Sequence, residues 1–138
     1  MTTTDTPSIF TKIIAREIPG FIPYEDDVVA VLISLEGHPM VIPKVAYRDI
    51  YELSEDVAGH IMKVAVRIAK ALKEATNCAG INIVQSNGAA AGQDVFHFHL
   101  HIKPRFIGDT VVFKWDTATK SEDVRRELNK KITESLTK

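Results

Sequence analysis

The stretch VFHFHLHIKPR, Val95 to Arg105, constrains the fold more than any other part of the chain. His97, His99 and His101 recur at every second position, with Phe96, Phe98, Leu100 and Ile102 interleaved. A period of two is the period of a β-strand, whose successive side chains point to opposite faces. The spacing predicts a strand over 95–103. Phe96, Phe98, Leu100 and Ile102 then face a core, while Val95, His97, His99, His101 and Lys103 share the other face. Pro104 lacks an amide hydrogen and is expected to end the ladder.

Three readings of the histidine row compete. Strand propensity accounts for one or two histidines on a polar face, but poorly for three in register. A metal site is possible in principle, since histidines at i and i+2 can share a zinc ion. At about 3.3 Å per residue, however, His97 and His101 lie roughly 13 Å apart on a straight strand. Bonds of about 2.1 Å cannot reach all three rings from one ion. The third reading is catalysis. Neutral imidazole is a good nucleophile near neutral pH, and neighbouring histidines can orient it or handle its protons. Catalysis ranks first and metal second.

The remaining sequence narrows the class. A chain of 138 residues can bury one real core. A net charge of −1 offers no basic field for nucleic acid. The single cysteine, Cys78, excludes an intrachain disulfide and fits a reducing compartment. The opening MTTTDTP lacks the marks of a signal peptide, and no apolar run approaches the roughly 20 residues that span a bilayer. A cytoplasmic protein with no membrane partner is expected.

Residues 1–7 read as a flexible tail. SIFTKIIAREIP reads as a short helix capped by Ser8 and stopped at Pro19-Gly20. FIPYE and VVAVLI flank an acidic turn as paired strands, and PMVIPK is a third. Ser54 to Thr76 is the strongest helix. Ser54 caps it, and Val57, Ile61, Val64, Ala65, Ile68 and Leu72 form its apolar stripe. His60 falls outside that stripe and reads as an edge residue. GINIVQS is a strand and NGAAAGQD a loop. A C-terminal helix over about 121–137 carries a Val124, Leu128, Ile132, Leu136 stripe, to be packed on the domain or on a partner chain. The order argues for an α+β domain with a mainly antiparallel sheet.

HFHLHIK resembles the signature of the histidine triad (HIT) superfamily, with Lys103 in its last hydrophobic place. IFTKIIAREIP, YEDDVVAVL, GHPMVIPK and NGAAAGQDVFHFHLHIKPR resemble its Hint-like nucleotide-binding branch in the same order, over roughly residues 8–108. The resemblance implies a single domain over 8–138 with a sheet of about five strands, one long helix and a C-terminal helix, paired as a homodimer. It implies binding of a purine nucleotide such as AMP or GMP, and hydrolysis or transfer at the α-phosphorus without metal or cofactor. His99 is then the nucleophile. A nucleotidyl-His99 intermediate forms and water cleaves it. On this reading the attacking nitrogen of His99 must be neutral, with its other nitrogen donating to a fixed acceptor. His97 and His101 flank it, where donors can stabilise phosphoryl oxygens or the leaving group. His38 matches the supporting fourth histidine. Gly92, Gln93, Asp94 and Val95 fall in the phosphate loop, and Ser86 falls near the phosphate. Phe10, Ile18 and Val31 match apolar positions of the base pocket.

Several residues depart from the pattern. LISLEGH lacks the ribose-holding Asp. Ile33 occupies or adjoins its place, and Glu36 either substitutes from the shortened loop or, the reading ranked first, is a surface turn charge. Ser86 is shorter than the usual Asn or Gln. Asp94 stands where Ser or Thr is common; it either faces the leaving group and favours a cationic amine, or bonds the loop backbone. Thr11 replaces a zinc-binding Cys of some relatives, so no structural zinc is expected. Lys103 shares parity with the histidines and either adds positive charge at the pocket rim or, the reading ranked first, points to water once Pro104 has bent the strand. A nucleoside phosphoramidate hydrolase is the first expectation. A dinucleoside polyphosphate hydrolase or transferase comes next, then a nucleotide-binding protein with little turnover.

Overall fold

Three serines each open a helix by accepting the backbone amide three residues on, which satisfies an otherwise unpaired donor. The structure, a computed structural model, describes residues 7–138. The tail expected over 1–7 lies, save for Pro7, outside the described residues.

Ser8 opens α1 (Ile9–Ile14). This helix ends well before Pro19, because Arg16 adopts a left-handed conformation at φ 62°. The Glu17 amide then returns to the Lys12 carbonyl. The Arg16 guanidinium donates to both carboxylate oxygens of Glu25, at 3.2 and 2.9 Å, which ties the helix end to the sheet. β1 (Tyr24–Glu25) turns into β2 (Val29–Ile33) through Asp26, whose carboxylate accepts the Val28 and Val29 amides. β3 (Pro39–Pro43) follows a tight turn in which Gly37 has φ 90°. Ser54 opens α2 (Glu55–Thr76), which closes at Asn77 with φ 54°. β4 (Gly80–Val84) and β5 (Leu100–Arg105) complete an antiparallel sheet of order β1-β2-β3-β5-β4.

The sheet buries both faces, and its alternation decides which residue serves which face. Val29, Val31, Val41, Phe98, Leu100 and Ile102 meet Ile61, Val64 and Ala65 of α2. Ala30, Leu32, Met40 and Ile42 meet Phe10 of α1. The α2 stripe is the one the sequence predicts, with Val57, Ile68 and Leu72 packed against its buried centre.

Two expectations are corrected and a third is narrowed. The strand expected over 95–103 begins only at Leu100, and His97 and His99 precede it in irregular backbone. Pro104 does not end the ladder, since it pairs with Ile81 and the strand runs on to Arg105. Pairing with β3 stops at His101, so Pro104 lies where the β3 side of the strand is already open and a missing amide costs nothing. The last helix, α3 (Glu122–Leu136), leaves Val124, Leu128, Ile132 and Leu136 exposed, so this stripe does not pack on the domain.

Candidate active site

His97 carries the architecture of the site. It is fully buried, and its Nε2 lies 2.7 Å from the Pro43 carbonyl oxygen. A carbonyl only accepts, so Nε2 holds the proton and Nδ1 is a lone pair. The Ser8 hydroxyl, 2.6 Å away, donates to that lone pair. Burial pushes the His97 pKa down, in keeping with a neutral ring. Its two nitrogens are therefore committed to β3 and to the start of α1. Neither nitrogen of His97 is left free to donate to a phosphoryl oxygen.

The next link is the His97 backbone. Its carbonyl oxygen lies 2.7 Å from Nδ1 of His99, which must donate to it. This fixes the neutral tautomer with a lone pair on Nε2, the form a nucleophile requires. The Phe10 ring stands edge-on to His99 with centroids 4.9 Å apart. His101 stands on the other side at the same spacing, and His38 follows at 5.0 Å. The four rings form a row across the α1 face of the sheet.

His101 Nδ1 and His38 Nε2 are 2.8 Å apart. The Ser34 hydroxyl lies 3.3 Å from His38 Nδ1 and accepts the His38 amide at 3.2 Å. Ser34 with His38 and His101 thus form a proton-sharing chain that ends at His101 Nε2. Burial, with help from His99 and His38, lowers the His101 pKa to about 4. Burial and then the Lys103 charge lower that of His38. Both rings are neutral near pH 7.

The loop before the triad is braced from within. The Gln93 side chain accepts the Gly88 amide at 2.7 Å and donates to the carbonyls of Arg48 and Val95. Its side-chain amide is thus committed to bracing the loop. Gly88 and Gly92 both have φ 90°, a conformation that L side chains rarely adopt. Between them lies a single 3-10 turn, Ala89–Ala91. Asp94 Oδ1 accepts the Val95 amide at 2.8 Å, so the backbone alternative holds. Its charge still reaches His101, whose affinity for a proton it raises. Ser86 is half-buried, and its hydroxyl meets no protein partner among the described residues.

Two cavities flank the ring row. One of about 430 Å³ is lined by Ile13, Ile18 and Ile22 with the Arg16–Gly20 turn. Ile13 and Ile22 also pack against the cluster that holds Phe10, which places this cavity on the α1 side of the sheet. The other, about 320 Å³, is lined by His38, His101, Glu36 and Lys103 with Val84, Val111 and Phe113. Lys103 and Glu36 therefore both border the site; for Lys103 this favours the rim over open water, while Glu36 remains an exposed charge of the turn before β3. Pro104 continues the strand, and that keeps Lys103 in parity with the histidines. Val31 is corrected too: it packs under α2 on the far side of the sheet. Its neighbour Leu32 holds the matching place on the histidine face.

The sequence readings missed the Ser8 link, the Pro43 acceptor, Ser34 and the Val111–Phe113 wall. For Ser8 the signal was present as a helix cap, but its bond to His97 spans 89 positions. His60 lies apart, its Nε2 2.7 Å from Asp26 in the β1–β2 turn. Among the described residues no three His, Cys, Asp or Glu side chains gather as a ligand set for a metal ion. Nor is any described helix long and apolar enough to cross a membrane.

A family model described as HIT domain matches residues 15–108. The Protein hit of Bacillus subtilis is 36% identical over 135 residues, covering 94% of this chain and 92% of that protein. The Adenosine 5'-monophosphoramidase HNT1 of Saccharomyces cerevisiae is 35% identical, covering 75% of this chain and 65% of its own length. The crystal structure of SMU.412c from Streptococcus mutans superimposes with a TM-score of 0.89 at 31% identity, covering 99% of this chain and 89% of that one.

Proposed function

The chain belongs to the HIT family, and from that premise we propose that it is a purine nucleoside phosphoramidate hydrolase acting at the α-phosphorus through His99. HIT proteins are nucleotide hydrolases and transferases. The observation that carries the reading is the bond from His99 Nδ1 to the His97 carbonyl, which leaves Nε2 as a preset nucleophile.

The base enters the Ile13, Ile18 and Ile22 cavity, on the side of the sheet where Phe10 stands edge-on to His99. His99 Nε2 attacks phosphorus, an Nε2–P bond forms and the P–N bond breaks. The leaving nitrogen takes one proton from the Ser34–His38–His101 chain and departs as an amine. The nucleotidyl imidazole is cationic, and its Nδ1–H bond to the His97 carbonyl strengthens as that charge develops. Water then attacks phosphorus, the Nε2–P bond breaks and the nucleoside monophosphate leaves. That water returns the borrowed proton to the chain. The named activity of the yeast relative supports an amine leaving group. Asp94 and Glu36 support it as well, since both oppose a polyphosphate at the His101 end.

A homodimer in the cytoplasm, with neither nucleic acid nor membrane bound, belongs to the same proposal. The dimer is supported by the exposed α3 stripe and by β4, an edge strand with Ile81 and Ile83 exposed. Sedimentation at micromolar concentration tests it, and a monomer would contradict it.

The deciding experiment is release of AMP from an adenosine phosphoramidate, with a chelator present, by wild type and His99→Asn. Turnover by the wild type, with turnover lost and AMP binding kept in the variant, is the expected result. Unchanged turnover in His99→Asn would defeat the assignment. AMP binding without turnover in the wild type would favour a nucleotide-binding protein.

A further inference from the structure

The cavity beyond His101 is walled by a segment that is held in place on purpose-built contacts. Arg105 donates to both oxygens of Asp109 at 2.8 Å, to Asn82 Oδ1 at 2.8 Å and to the Val111 carbonyl at 3.0 Å. Its guanidinium also lies over the Phe113 ring, 5.5 Å from the centroid. One side chain thus pins the returning chain against β4 and β5, and sets Val111 and Phe113 opposite His38 and His101. The space, an open pocket of about 320 Å³, has room for a small organic group. Its walls are apolar at Val84, Val111 and Phe113.

Lys103 is the one cation in this lining. It forms no ion pair among the described residues. Its charge reaches His38, so it acts inside the site. Glu36 shares the rim and offsets part of that charge. Such a cavity suits a ligand with an apolar body and one negative charge. A polyphosphate carries several charges and meets Glu36 here and Asp94 beside His101.

We propose that this cavity is the leaving-group subsite, and that Lys103 selects amines that carry a carboxylate. The inference rests on the phosphoramidate reading above and adds to it the residue that discriminates among amine leaving groups. The apolar body lies along Val84, Val111 and Phe113, and the carboxylate meets the Lys103 ammonium. A charge-assisted contact of this kind is worth about tenfold in selectivity.

The test uses two matched adenosine phosphoramidates of one amino acid, one with a free carboxylate and one with its methyl ester. The wild type is expected to favour the free acid in kcat/KM by about tenfold. In Lys103→Met the ratio falls to near one, in Lys103→Glu it inverts, and in Lys103→Arg it persists. A wild type without preference, or a Lys103→Met that keeps it, would overturn the proposal. The same pair is measured by calorimetry in a His99→Asn background, with and without Lys103→Met. Absence of turnover with both compounds would count against the phosphoramidate reading alone, because the affinity ratio still judges Lys103.

Discussion

The Ser8 hydroxyl donates to His97 Nδ1 at 2.6 Å while accepting the Thr11 amide at 3.1 Å, so the first turn of α1 and the triad share one oxygen. His97 in turn holds His99 through its carbonyl. Ser8→Ala removes a helix cap and leaves a buried acceptor unpaired, at a cost of about 2 kcal/mol. Thermal unfolding should show that loss. If Ser8 positions the nucleophile, kcat falls while KM for the nucleotide holds, and Ser8→Thr restores it. A purely structural cap would lower stability and leave kcat intact.

The neutral histidines make the fold sensitive to acid. Burial, then His99 and His38, hold His101 at about 4 against an ordinary 6.5. Between those values the unfolded chain carries a proton here that the folded chain does not, so stability falls as pH drops through that window. His38 and His97 are shifted downward by burial as well and steepen the loss. Urea titrations from pH 7 to pH 4 should show this slope. In His101→Asn it should be shallower by up to one proton, and an unchanged slope would mean the folded ring is already charged.

Val31 and Leu32 are chain neighbours on opposite faces of β2, one against α2 and the other against α1. Val31→Ala should cost about 2 kcal/mol of stability and leave KM for the nucleotide unchanged. Leu32→Ala should cost about 3 kcal/mol and also raise KM, because it loosens the packing behind Phe10. A rise in KM for Val31→Ala would return that residue to the base pocket.

Gln93 braces the loop before the triad through three backbone groups, among them the Gly88 amide. Its replacement by Ala should destabilise the protein by about 2 kcal/mol, since buried donors and acceptors lose their partner. Hydrogen exchange at Gly88 should accelerate in the ligand-free protein. A direct phosphate ligand would instead leave exchange untouched and weaken only AMP binding.

Local pattern was enough to place α2, its cap and its stripe, because a 3.6-residue period and a serine cap are contained in consecutive residues. It was enough as well to set His99 between His97 and His101 on one face, since parity is a property of neighbours. It could not say where β5 begins. The triad histidines at 97 and 99 are held by long-range bonds to Ser8 and Pro43 and by a local carbonyl, in place of ladder pairing. Nor could it separate Val31 from Leu32 as a pocket residue, because a register shift of one residue exchanges the two faces and only the pairing with β3 settles it. The cavity at Lys103 depended on Arg105 folding residues 109–113 back over the sheet. That contact joins distant parts of the surface, and only the tertiary structure decides which side chains a returning segment brings together.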